Sequence, residues 1–333
     1  MTGATDTAGR TMPPWLSASV WRRTFRDRPI LPLLVLLVLL IGLLQLAQPG
    51  ILNEAWVSST IRFAVPLAIL AACQTLTMLT GGIDLSVAAI ASMAAYIVAT
   101  QSPGQGVAVA LLLALAAATF FGFINGIGVG VFRVHPLIMT IGMGLIVLGL
   151  VTVYQLIMVA SGARIPAFVQ WLGGGTSFGF FPNSLFLFIP LAAFILFGLR
   201  RFGFGRLLFA VGDNETAARL SGVRVWQVLI LLYTLSGLLA GLAGIIYTGL
   251  TNAYTAALAD RFLLPSVAAA VIGGTSIFGG RGGYAGSIVG ALILTVLTTL
   301  LTVVQIPEPV RQILFGSIIL VVAAAYTRIT EEA

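Results

Sequence analysis

The sequence predicts an all-α polytopic membrane protein with about ten transmembrane helices, on three observations. First, 59% of the 333 residues are hydrophobic and 8% are charged, against ~25% charged residues in soluble domains. Second, apolar runs of about 20 residues, the length that crosses a ~30 Å hydrocarbon core as a helix, recur along nearly the whole chain. Third, the basic residues stand at the ends of those runs and favour one side of the membrane, as the positive-inside rule requires. Mean hydropathy is +1.08. No stretch is long enough for a separate soluble domain, so residues 29–328 are expected to form one transmembrane domain, preceded by a basic arm (1–28) and followed by a short tail (329–333).

The first span, 30–47, follows "RTFRDR", the densest basic cluster in the chain. The second, 57–80, is stopped by Gly81 and Gly82. The third, 84–101, opens at Asp84, whose carboxylate is suited to accept a hydrogen bond from the backbone N–H near Val87 and to face the positive helix end. If this break lies inside the bilayer, the same aspartate marks a translocation path, because non-helical backbone is tolerated there only beside protein or a water-filled cavity. The span is also short enough to be half of a broken helix. Spans 107–130 and 136–160 follow, with His135 as an interfacial residue at a helix start. Residues 161–182, holding Pro166 and Gly173 to Gly175, form the longest outer connection before span 183–199. The segment 200–225 is polar and rich in arginine. Within it, "GDNETAARLSGV" opens with Asp and Asn, places Glu215 in the first turn and stops at Gly222, which are the start and stop signals of a short helix. Spans 226–249, 262–279, 284–304 and 309–327 complete ten.

The arginines test that number independently. With an even count both termini share a side, and a cytoplasmic N-terminus places thirteen arginines inside and four (Arg62, Arg164, Arg261 and Arg311) outside. One helix more or fewer midway would put the arginine-rich 200–225 segment outside.

All 17 basic residues are arginine, which excludes a Walker A phosphate loop and any Schiff-base lysine chemistry. Energy from ATP therefore has to come from another chain. A single cysteine, Cys73, and a single histidine, His135, exclude an internal disulfide and a Cys/His metal cluster. Cys73 reads as a small buried hydrophobe. The net charge of +7 is spread along the ends of apolar runs and does not point to nucleic acid. Glycines inside the spans, as in "FGFINGIGVG", suit close helix packing in a membrane.

Four stretches in order carry a resemblance: "LTGGIDLSV", "INGIGVGVFRVHPLIMTIG" from Ile124, "FAVGDNETAARLSGV" from Phe209, and "VIGGTSIFGGRG" from Val271. Together they resemble the membrane permeases of bacterial ribose-type ABC importers, in a family that also contains the branched-chain amino acid permeases. Thr216 stands where that pattern has a second glutamate, and His135 where it commonly has proline. The resemblance implies a vitamin-B12-importer-like (type II) ABC permease fold in the inner membrane with both termini cytoplasmic. It implies a second permease copy, a cytoplasmic ATPase that uses ATP and Mg, a periplasmic solute-binding protein, and no cofactor bound by this chain. It further implies a coupling helix that meets the ATPase through Asn214, Glu215, Ala218, Arg219 and Gly222.

Polar groups buried in membrane helices usually face an interior path, which makes Gln74, Thr77, Asp84, Ser86 and Asn125 the candidates for lining it. Each could equally tie one helix to another. The outer arginines Arg164, Arg261 and Arg311 are candidates for docking the binding protein. A sugar is the expected cargo and a branched-chain amino acid the alternative. An ion-coupled secondary transporter would carry several intramembrane acids, whereas Asp84 is the only one well within a span, and no HExxH, GxSxG or paired carboxylates support an intramembrane enzyme.

Overall fold

A computed structural model describes residues 30–158 and 162–331, with side chains for 30–157 and 162–321; the predicted 1–28 arm lies outside the described residues. The chain forms α1 (Ile30–Ala47), α2 (Glu54–Met78), α3 (Val87–Gln105), α4 (Val107–Gly130) and α5 (Pro136–Met158). The outer connection folds as α6 (Ala167–Gly174) and a two-stranded antiparallel hairpin, β1 (Thr176–Ser177) and β2 (Phe181–Pro182), with Thr176 opposite Pro182. Then come α7 (Ser184–Arg201), α8 (Gly203–Asp213), α9 (Glu215–Leu220) and α10 (Val225–Thr251). A 3₁₀ turn (Asp260–Phe262) leads into α11 (Leu263–Ile272), and α12 (Tyr284–Val303) and α13 (Glu308–Glu331) close the chain.

Among the described residues, seven helices (α1, α2, α4, α5, α7, α10 and α12) are long and apolar enough to cross a membrane. Their outward faces carry exposed apolar side chains such as Leu46, Leu112, Leu156 and Phe194, the surface a lipid solvent requires. α10, with 27 residues and a length of ~40 Å at 1.5 Å per residue, is the axis of the bundle. Its glycines let other helices reach it. A Cβ on Gly237 would stand 2.4 Å from the Ala118 carbonyl oxygen, and one on Gly122 would stand 2.4 Å from the Tyr233 carbonyl oxygen, so α4 and α10 touch backbone to backbone.

The expected span 262–279 takes a different form. α11 has ten residues, or ~15 Å, half of what a bilayer core needs. Asn252, with φ 51°, ends α10, and the chain then descends irregularly into the bundle, where the Ala259 N–H donates to Ser92 Oγ at 2.9 Å in α3. The apolar run in the sequence covers two structures, this half-helix and the glycine-rich turn 273–283 that follows it. Where this irregular backbone enters the bundle it meets protein: Ala259 is buried and its N–H is satisfied by a side chain, while Asn252, Thr255, Ala257 and Asp260 stay exposed.

The bundle has two recognisable ends. Arg62 Nη1 donates to the Gly174 carbonyl at 2.6 Å, the Arg164 N–H to the Ala99 carbonyl at 3.0 Å, and Tyr254 Oη to the Ala163 carbonyl at 3.1 Å. These bonds gather the start of α2, the end of α3 and the outer connection. At the opposite end lie α8, α9, the start of α10 and the turn 273–283. Positions forecast for opposite sides of the membrane thus fall at opposite ends.

Candidate functional site

The break between α2 and α3 lies inside the bundle. α2 ends at Met78, Gly81 turns with φ 76°, and Asp84 returns to bond Ser236, near the middle of α10. Asp84 does not reach the N–H near Val87. Its Oδ1 accepts from the Ser86 N–H at 3.0 Å and from Ser86 Oγ at 2.6 Å, while Oδ2 accepts from Ser236 Oγ at 2.8 Å. A carboxylate so placed closes its own turn, two residues on, rather than capping the next helix. Ser86 Oγ in turn accepts from Asn125 Nδ2 at 2.8 Å. Gln74 Nε2 donates to the Asp84 carbonyl at 2.8 Å, and Gln74 Oε1 accepts the Asp84 N–H at 3.3 Å. Thr77 Oγ1 donates to the Cys73 carbonyl of its own helix at 3.0 Å.

Gln74, Thr77, Asp84, Ser86 and Asn125 are all fully buried. Four of them, with Ser236, form one hydrogen-bonded hub that ties α2, the break, α4 and α10; Thr77 is spatially adjacent but bonds within α2. Every partner of the Asp84 carboxylate is neutral, so three hydroxyl and amide dipoles take the place of a counter-ion. One acceptor in the hub, Asn125 Oδ1, has no partner among the described residues. Cys73 is fully buried, its Sγ within 3.3 Å of the Ser236 carbonyl, in keeping with its reading as a core residue.

The second feature is the segment α8–α9. The forecast short helix is present: Asn214 Oδ1 caps α9 by accepting the Ala217 N–H at 2.9 Å, and Glu215 pairs with Arg219 one turn later. The Val223 N–H returns to the Ala218 carbonyl at 3.1 Å, and Gly222 takes φ 86°, the left-handed conformation that ends a helix. Ala218 is buried against the bundle, while Leu220 at the tip is 85% exposed. The sequence pattern of caps and charges gave no sign of it. Beside α9 a cavity of about 530 Å³ is walled by Arg133, Arg219 and Arg224, with His135 at the start of α5.

α8 carries this knob onto both interruptions of the bundle. The Gly280 N–H donates to the Leu79 carbonyl at 3.0 Å, so the end of α2 and the turn after α11 are bonded to each other. Gly212 of α8 sits on that joint: a Cβ there would stand 1.7 Å from the Leu79 carbonyl oxygen and 2.6 Å from the Gly280 nitrogen. Gly280 in turn lies against Asp213, a Cβ on it falling 3.1 Å from the Asp213 Cα. Three backbones meet with no side chain between them, a joint able to transmit displacement with little slack.

At the other end, the three docking candidates differ. Arg164 is exposed. Arg311 is held by Glu308 at 3.5 Å and by the Ile306 carbonyl at 2.9 Å, with its side chain only 13% accessible. Arg261 lies at the mouth of a cavity beside Tyr247 and over the Phe262 ring.

Residues 56–323 match the model of a family described as the branched-chain amino acid transport system / permease component. The chain belongs to this family. Among its relatives, the ribose import permease protein of Escherichia coli K12 is 36% identical over 266 residues, covering 76% of this chain and 79% of the relative. The fructose import permease protein of Rhizobium meliloti is 34% identical over 265 residues (78% and 74%). The ribose import permease protein of Bacillus subtilis is 32% identical over 289 residues (84% and 86%). No solved structure matches the chain. Within this family the chain is a multi-pass membrane permease component, and the two helix breaks, the Asp84 hub and the α8–α9 knob all lie inside the matched region.

Proposed function

We propose that the chain is the transmembrane subunit of an ATP-binding-cassette importer and forms the path by which a sugar or sugar-like solute crosses the bacterial inner membrane. The observation that carries this reading is the seating of α8–α9 on the joined ends of both interrupted segments, in a chain whose relatives are named for ribose and fructose import. A partner ATPase grips α9 through Asn214, Glu215, Ala218, Arg219 and Gly222, with exposed Leu220 at the centre of the contact. ATP and Mg²⁺ belong to that partner, since a chain without lysine has no Walker A loop. Closure of the ATPase moves α8, and α8 moves the end of α2 and the 273–283 turn together. The Asp84 hub is the closed state of the gate: Gln74, Thr77, Asp84, Ser86 and Asn125 meet solute when the break swings away from α4 and α10. Ten traversing elements, counting α3, the interrupted α11 and α13 with the seven long helices, give the vitamin-B12-importer-like type II arrangement. Both termini are then cytoplasmic, a second permease copy completes the path, and a periplasmic binding protein docks over Arg164, Arg261 and Arg311.

Vesicles holding the permease, its ATPase and its binding protein are expected to take up radiolabelled ribose or fructose only with ATP. Uptake of leucine in place of either sugar would move the chain to the amino acid branch, and uptake driven by an ion gradient with the ATPase deleted would refute the import reading.

A further inference from the structure

Between the first half of α2, the second half of α12 and the start of α13 lies a cavity of about 370 Å³, at the end of the bundle opposite α9. This is within the ~300–1,000 Å³ range of small-molecule sites. Its α12 wall is a stripe of Thr295, Thr298, Thr299 and Thr302, spaced so that all four share one helix face. Each hydroxyl spends its hydrogen on the carbonyl four residues back, at 2.8, 2.7, 3.1 and 2.7 Å in that order. What remains toward the cavity is a ladder of acceptor lone pairs. Donors come from the facing walls: the Arg261 guanidinium, and Trp56, whose buried Nε1 has no partner among the described residues. Phe63 and Phe262 supply apolar faces, and Glu308 stands at the rim. The ionised Arg261 and Glu308 in the same lining require protein or water beside them, which sets this cavity apart from a lipid-facing groove.

Resting on the import reading above, we propose that this cavity is the solute's station in the outer half of the permease, and that it takes a neutral polyhydroxylated solute the size of a monosaccharide. Solute hydroxyls donate to the threonine ladder, Arg261 and the Trp56 indole N–H donate to solute oxygens, and the aromatic faces meet its C–H faces. The threonine oxygens, already engaged as donors, add acceptance without a charged anchor. Such a site admits a released solute without trapping it.

Two arms test this in the full complex with ATPase and binding protein. Because Cys73 is fully buried, a Thr298→Cys variant in a complex whose partner subunits are made cysteine-free offers a membrane-impermeant sulfonate thiol reagent one reachable thiol. The labelling rate is expected to change at least tenfold between the nucleotide-free and vanadate-trapped complexes, and label is expected to block transport. No labelling, or equal rates in both states, overturns the assignment. In the second arm, a Thr298→Val, Thr299→Val double variant keeps both side-chain shapes and the backbone bonds of the helix while removing the hydroxyls, and is expected to lower ATP-driven uptake of labelled ribose or fructose at least tenfold with ATPase rate retained. Unchanged uptake overturns the proposal. Failure of the unmodified complex to move either sugar overturns the sugar reading, while the labelling arm still decides whether the cavity belongs to the path.

Discussion

Gly212→Ala puts a methyl group where three backbones already touch. The new Cβ would lie 1.7 Å from the Leu79 carbonyl oxygen, and restoring an ordinary contact of 3.4 Å requires α8 and the end of α2 to part by about 1.7 Å. Neither neighbour is the far end of a flexible side chain: one is a carbonyl oxygen, and the other is the Gly280 nitrogen at 2.6 Å, whose N–H already bonds Leu79. Overpacking of this kind costs about 1–3 kcal/mol, and rigid backbone on both sides puts the cost toward the upper end. Because α9 faces outward from the joint, its own cap and ion pair stay intact, so ATPase binding is expected to survive. The expected result is uncoupling: ATP hydrolysis by the assembled complex continues, while solute moved per ATP falls at least tenfold. The assay is paired measurement of phosphate release and labelled sugar uptake in proteoliposomes, with Gly149→Ala in α5 as a control, since a Cβ at Gly149 meets nothing within 4 Å. If Gly212→Ala moves solute with unaltered stoichiometry, α8 is not a transmitting element.

Leu220→Arg, at the exposed tip of α9, is expected to weaken ATPase co-purification at least tenfold without lowering the melting temperature of the permease; retention of the ATPase would remove Leu220 from the contact. Asp84→Ala leaves Ser86 N–H, Ser86 Oγ and Ser236 Oγ without their acceptor, each buried donor costing about 1–3 kcal/mol, so the purified permease is expected to melt several degrees lower in detergent. An unshifted melting curve would mean the hub does not hold α2 to α10. Arg164→Glu is expected to weaken binding-protein docking more at low than at high salt, whereas Arg311→Gln acts through loss of its bonds to Glu308 and Ile306. Equal effects of the two on docking would contradict the division made by their exposure.

Much of the bundle was legible because membrane helices announce themselves by length and apolarity. Span 30–47 coincides with α1, and Asn214, Glu215 and Gly222 marked α9 through capping chemistry that acts locally. The 262–279 run reads as one span for a physical reason: hydropathy registers composition, and the half-helix α11 with the glycine-rich turn after it has the apolar content of one full helix. Asp84 reads as polar and buried, yet its partner Ser236 is 152 residues away, a pairing that only the approach of the α2–α3 break to α10 creates. The threonine stripe of α12 was written in the sequence as "LTVLTTLLT", at spacings of three and four, and its meaning depended on Arg261 and Trp56 lying across from it. Leu220 carried no local signal, since a leucine in a short helix reads as core until its neighbours are known to be absent.

The central claim is that solute movement is driven from the α9 end by a separate nucleotide-hydrolysing subunit. Purified permease alone in liposomes, given labelled ribose or fructose and an imposed proton or sodium gradient, is expected to accumulate nothing, and the same liposomes with ATPase, binding protein and ATP to accumulate the sugar. Accumulation by the isolated chain would contradict the account.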